Sequence, residues 1–166
     1  MTEREAGGDV GGDVAGAVAA MASFQQVTQQ ADAKAGTMAT VHVGLAAVVA
    51  SQVGQAGLPA PTHPAAVLFW AASAAYSVTF AVSGYLLIQV IRPRAAAPTA
   101  PNRFSLDVAD HVGARPGRLA QEAWATARAI ARIAELKNAY TARAVMWVAS
   151  SVVAAGVWLV LAGTAR

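Results

Sequence analysis

The sequence contains no cysteine. Disulfides, thiol catalysis and cysteine-ligated metal are therefore excluded, while the compartment is left open. Charge is also scarce, at 13% of residues, and it is unevenly placed. Between Lys34 and Arg92 there is no Asp, Glu, Lys or Arg, and a second uncharged block runs from Ala144 to Ala165. A charge at a bilayer centre costs about 2.5–3.5 kcal/mol on insertion scales, so charge-free apolar runs of about 20 or more residues read as membrane spans. No cleavable signal is apparent, because Met1-Thr2-Glu3-Arg4-Glu5 is polar and acidic where a signal peptide begins basic and soon turns apolar.

The first uncharged block is too long for one helix. Leu58-Pro59-Ala60-Pro61-Thr62-His63-Pro64 divides it, since prolines remove backbone donors and push the preceding residues out of the α region. The block is expected to form a hairpin over 37–91, with spans at about 37–56 and 65–91. A third span is expected at 144–163. It is rich in β-branched and aromatic residues, but in lipid every backbone N–H and C=O must pair within the segment, which favours helix. With 166 residues, 56% of them hydrophobic, three spans leave too little chain for a separate globular enzyme.

Residues 1–36 carry five acidic residues against Arg4 and Lys34, whereas 92–143 carries nine basic residues against four acidic ones. Lys- and Arg-rich loops stay on the cytoplasmic side. The segment 92–143 is accordingly placed in the cytoplasm, the hairpin brings the N-terminal arm to the same side, and the Pro-rich turn and Thr164-Ala165-Arg166 lie outside.

Residues 1–13, with Gly7-Gly8 and Gly11-Gly12, read as a flexible start. Over 14–36 the pattern changes: Val14, Ala17, Val18, Met21, Phe24, Thr28 and Ala31 recur three and four apart, while Gln25, Gln26, Gln29 and Gln30 fill the other face. That is an amphipathic helix leading into the first span, and its neutral face favours a partner helix over anionic lipid. After the second span, Arg92 to Pro101 reads as an extended linker and Ala114-Arg115-Pro116-Gly117 as a break. From about Leu119 to Arg143 the chain is again helical and can run unbroken into the third span. The expected fold is an all-α membrane protein: three transmembrane helices, with two cytoplasmic amphipathic helices continuous with the first and third spans.

Residues that carry chemistry are few. His42, His63 and His111 lie in different regions and imply no metal site. Walker, dinucleotide and Ser-His-Asp patterns are missing, so neither an enzyme nor a bound cofactor is expected. Nucleic acid is not an expected partner, and Trp124 suits core or partner packing. Trp70, Trp147 and Trp158 fall near span ends, where indoles belong to the interfacial belt. Small residues recur four apart at Gly36, Thr40 and Gly44 and at Ala71, Ala75, Thr79 and Ser83, a spacing that lets membrane helices approach, here within the chain more than between chains. Arg128 and Arg132, one turn apart, are candidates for holding a phosphate, although such a pair is more often a solvated face. At the threshold of the first span stand Asp32 and Lys34. Lys34 can snorkel to headgroups. Asp32 calls for a cation, and Lys137 or Arg143 stands at the matching level before the third span.

Ala31-Asp32-Ala33-Lys34-Ala35 opening the first span resembles the "ADxKA" motif of the transmembrane effectors of the Pycsar antiphage system (PycTM-like). Asn102-Arg103-Phe104 resembles the family's "N-aromatic" element, and Ile133-Ala134-Glu135-Leu136-Lys137-Asn138-Ala139-Tyr140 its "Ia-x-x-K-x" element. The resemblance runs from about Phe24 to Gly163, with Asp32, Lys34 and Lys137 as its charged motif residues. It implies a bacterial inner-membrane defence protein, partnered with a pyrimidine nucleotide cyclase. On phage infection the cyclase makes cyclic CMP or cyclic UMP as activating ligand, and the effector, expected to be a homo-oligomer in the lipid bilayer, impairs membrane integrity and causes abortive infection. No β-rich nucleotide-binding domain is present, so the nucleotide must be sensed by the helical cytoplasmic part or by another protein. A constitutive holin-like pore and a structural subunit of a membrane complex fit the same spans.

Reporter fusions after Arg94 and after Arg166 are expected to report opposite sides of the membrane, the first cytoplasmic. Two cytoplasmic reports would overturn the three-span topology.

Overall fold

The computed structural model describes residues 3–53, 64–94, 102–104 and 116–164. These form three helices, α1 (Glu3–Val53), α2 (Pro64–Ile91) and α3 (Pro116–Thr164). All three are long and apolar enough to cross a bilayer, and the chain is a multi-pass membrane protein. Most of the expected Pro-rich turn, the later part of the 92–101 linker, His63 and His111 lie outside the described residues.

Local chemistry sets the helix limits. α2 and α3 each begin on a proline, whose fixed φ suits the first helical position and whose missing N–H would have no partner there. Pro116, expected as part of a break, thus starts a helix. α2 ends as the Arg92 amide donates to the Ile88 carbonyl at 2.9 Å, and Pro93 has no N–H with which to continue. α1 extends back to Glu3, through the stretch expected to be flexible. A glycine costs a helix only about 1 kcal/mol relative to alanine, and no proline interrupts α1. At 51 residues, α1 is roughly 76 Å long, more than twice the hydrocarbon thickness. α3, with 49 residues, carries the expected cytoplasmic helix and the third span as one element.

The chain forms two compact units. The first comprises Met1–Ala31 and Pro93–Asn138, the second Asp32–Arg92 and Ala139–Arg166. α1 and α3 each contribute to both.

Within every helix the inward residues follow one rule. Along α1 each residue on an alternating three-four spacing is buried or half-buried, from Val14, Ala17 and Met21 through to Leu45, Val49 and Gln52. α2 repeats the pattern from Ala66, Phe69 and Ser73 to Leu87 and Val90, and α3 from Ala123, Ala127 and Ile130 to Ala155, Trp158 and Ala162. This is the a/d spacing of left-handed coiled coils. Small residues hold most of its fully enclosed positions: Ala17, Ala35, Ala123, Ala127, Ala144 and Ala155, with Ser83 and Ser151. Many bulky residues face outward, with Val43 68%, Val153 68% and Met146 71% exposed, although Phe69, Leu87, Val90 and Trp158 lie inward. That distribution suits lipid, where close backbone approach rather than escape from water holds helices together.

In the second unit Val49, Phe69, Ala155, Trp158 and Ala162 form the core cluster, the Phe69 and Trp158 rings 5.7 Å apart. Trp158, expected at the interfacial belt, is instead an inward residue whose Nε1 donates to the Ser73 hydroxyl at 2.9 Å. Ser73 passes its own proton to the Phe69 carbonyl at 2.8 Å. Gly36, Thr40 and Gly44, expected to pack mainly within the chain, are exposed, with open space where a Cβ would stand on either glycine. Ser83 of the second small-residue series is buried, but Ala71 and Ala75 are exposed. The four-residue repeat drifts away from the three-four seam, so only its end meets it.

Ala155→Leu should destabilise the protein by about 1–3 kcal/mol through overpacking, while Val153→Leu should stay within about 0.5 kcal/mol of wild type. Thermal unfolding in detergent measures both; equal effects would contradict the inward assignment.

Candidate functional site

The first unit holds a cleft built around one buried asparagine. Asn102 follows the linker, and its Oδ1 accepts the Phe104 amide at 2.9 Å. That is an Asx turn, in which the side chain mimics a backbone carbonyl and folds the chain back within two residues. The same oxygen accepts the Thr126 hydroxyl at 3.1 Å, while Nδ2 donates to the Glu122 carbonyl at 3.3 Å. Asn102 and Thr126 are both buried. One amide therefore ties the Asn102–Phe104 segment to α3, satisfying a backbone donor, a hydroxyl and a helical carbonyl together.

The clamp places Phe104 on a cleft of about 500 Å³, within the range of small-molecule sites. Thr126, Ile130 and Ile133 line it from α3, and Gln25, Thr28 and Gln29 from α1. Arg94, just beyond α2, brings the one charge among the described lining residues. Gln25 and Gln29 are one helical turn apart and exposed, so their amides offer donors and acceptors side by side. The Thr28 proton goes to the Phe24 carbonyl at 2.9 Å, leaving its oxygen as an acceptor. The site combines an aromatic face, an aliphatic wall, amide edges and one guanidinium.

The second unit contains a polar contact at mid-span. His42 stacks on Phe80 with centroids 3.7 Å apart and planes 10° from parallel, and its Nδ1 lies 3.4 Å from Ser83 Oγ. Ser83 donates to the Phe80 carbonyl at 2.9 Å, so its oxygen is left to accept from His42 Nδ1–H. A Cβ on Gly84 would come within 3.4 Å of His42 Nε2, so glycine lets α2 approach the ring. An apolar cavity of about 270 Å³ lies between Val49, Phe69, Trp70 and Trp158. The serines beside it, Ser73 and Ser77, donate to helix carbonyls, so this cavity suits a lipid chain better than a polar ligand.

The sequence candidates fall elsewhere. Arg128 and Arg132 are exposed on α3 and do not line the cleft; Arg128 Nε donates to the Trp124 carbonyl at 3.3 Å. Lys34 and Arg143 are exposed, Asp32 is half-buried, and Lys137 is a buried seam residue at 5% exposure. Asp32 and Lys137 each have an interaction partner. Gln25, Gln29, Arg94 and Thr126 were not singled out by sequence. The available signal was an asparagine two residues before an aromatic, together with paired glutamines four apart.

The family model of PycTM, the Pycsar effector protein domain, matches residues 17–163. No curated protein and no solved structure matches the chain.

Asn102→Ala should cost about 1–3 kcal/mol, because it strands the Phe104 amide and the Thr126 hydroxyl, and should speed hydrogen exchange at Phe104. Thr126→Ala, which removes a single bond, should act less. Unchanged exchange in Asn102→Ala would contradict the clamp.

Proposed function

Since the chain belongs to the Pycsar effector family, a group of antiphage defence proteins, we propose that it is the membrane effector of a system signalling through cyclic CMP or cyclic UMP, and that activation impairs the inner membrane and aborts infection. The observation carrying this reading is the extent of the match, residues 17–163, which includes parts of both units and of all three helices. A partner cyclase supplies the nucleotide, and the N-terminal arm and the first unit face the cytoplasm where it is made.

Two features support a protein that switches between states. Apart from one cluster of larger residues around Phe69 and Trp158, the most enclosed positions of the seam between the spans are held by small side chains, with a few hydrogen bonds. Transmembrane hydrogen bonds average about 0.6 kcal/mol, so individual contacts of this kind can be exchanged cheaply. α1 and α3 also belong to both units, so a change of packing in one is carried by the same helices that cross the bilayer. Moving such an equilibrium from 1:99 to 99:1 needs about 5.5 kcal/mol of differential ligand affinity. Sharing that demand among the protomers of a homo-oligomer reduces it at each site.

Dye entry into cells expressing this protein should occur only when a cognate pyrimidine cyclase is active. Dye entry independent of the cyclase would replace this reading with a constitutive pore, and absence of entry in both conditions would replace it with a structural subunit.

A further inference from the structure

The cleft of the first unit has the chemistry of a mononucleotide site, and we propose that it is where this chain takes up the cyclic nucleotide: Phe104 stacks on the base, Arg94 holds the cyclic phosphate, and Gln25 and Gln29 read the base edge. The assignment rests on the effector reading for the identity of the ligand but on the cleft itself for the ligand class.

Each part of the lining answers to one part of such a molecule. Phe104 is the only aromatic residue among the described lining residues, and a base of any identity has a flat face to lay against it. Ile130 and Ile133 supply apolar surface. Arg94, which already has an interaction partner, is the only charged residue among the described lining residues. One guanidinium matches the single negative charge of a cyclic phosphodiester, whose two exocyclic oxygens it can engage with two parallel N–H groups. A nucleoside di- or triphosphate would bring several charges to a site with one cation.

The amides give the site its selectivity among bases. A glutamine side chain both donates and accepts, and two of them on adjacent turns can meet the donor-acceptor pattern along a pyrimidine edge. Uracil and cytosine differ there at two adjacent positions, a carbonyl against an amino group at C4 and an N–H against a lone pair at N3, so the orientation of one amide decides which base is matched. Thr28 and Thr126 commit their protons to Phe24 and Asn102, and only their oxygens remain as acceptors toward a ribose hydroxyl. The Asn102 clamp fixes Phe104 before any ligand arrives, which lowers the ordering cost of the stack.

The cleft also brings together segments that a ligand would join: α1 at Gln25–Gln29, the end of α2 at Arg94, and α3 at Thr126–Ile133. A ligand touching all three favours one packing of these segments over others, as a population-shifting ligand must.

The test is equilibrium binding of radiolabelled cyclic CMP and cyclic UMP to the full-length protein in nanodiscs, run beside the dye-entry measurement. Wild type should bind one of the two. Phe104→Leu and Arg94→Gln should each weaken binding at least about tenfold, with unchanged thermal unfolding. Phe104→Tyr should retain binding, and Arg128→Gln, outside the cleft, should match wild type. Gln25→Ala or Gln29→Ala should change the ratio of the two affinities. Wild type that binds yet loses nothing in the Phe104 and Arg94 variants would overturn this site while leaving the effector reading intact, as would binding that depends on Arg128. Wild type that binds neither nucleotide would overturn the site; if its dye entry still followed the cyclase, the effector reading would stand with the sensor in another protein.

Discussion

Three helices in hydrocarbon gain nothing by hiding apolar surface, so shape and hydrogen bonding must decide which side of each turns inward. The alternating three-four rows of α1, α2 and α3 are the result. Alanine and serine hold most of the fully enclosed inner positions and allow backbones to approach, while many valines, among them Val43 and Val153, are left to the lipid. The seam in α1 keeps its spacing from Val14 to Gln52, through the charged boundary at Asp32 and Lys34, and that in α3 runs from Ala123 to Ala162 past Lys137. Both helices thus retain one inward face although they serve two compact units.

Within the seam the polar side chains define which residues face one another. An all-alanine interface would permit several registers at similar energy. The Trp158 indole on Ser73, and His42 between Phe80 and Ser83, each fit one register, because a shift leaves a polar group facing hydrocarbon. In the first unit Asn102 plays the equivalent part by joining a short loop to α3. A cleft with exposed amides on one side and a buried clamp on the other can be firm in shape and still open to a ligand.

Much of this architecture was legible in the sequence. The absence of charge from Lys34 to Arg92 and from Ala144 onward marked the spans, and the lack of a breaker after Lys137 pointed to the continuity seen in α3. The inward face was harder to read. In a soluble helix polarity marks the outer side, but here residues on every side are apolar, and large ones such as Phe69 and Trp158 stand inward beside the small. Trp158 was accordingly assigned by its nearness to a span end, and Gly36, Thr40 and Gly44 by a four-residue spacing that leaves the seam within a few turns. The cleft was less legible still. Its residues come from three distant stretches, and Gln25 and Gln29 read in sequence as a neutral face for a partner helix, whereas the structure sets them on one cleft with Phe104 and Arg94. Arg128 and Arg132 drew attention because paired cations are conspicuous in sequence, while a lone arginine after α2 is not.

The inward assignment of the spans is open to a direct chemical test, since the chain has no cysteine to interfere. His42 and Ser83 face each other across the seam at 3.4 Å, whereas Val43 and Tyr85 point outward. In native membranes treated with an oxidant, the His42→Cys, Ser83→Cys pair should form an intramolecular disulfide and the Val43→Cys, Tyr85→Cys pair should not. Equal cross-linking of the two pairs, or cross-linking of the outward pair alone, would contradict the seam on which the structure is built.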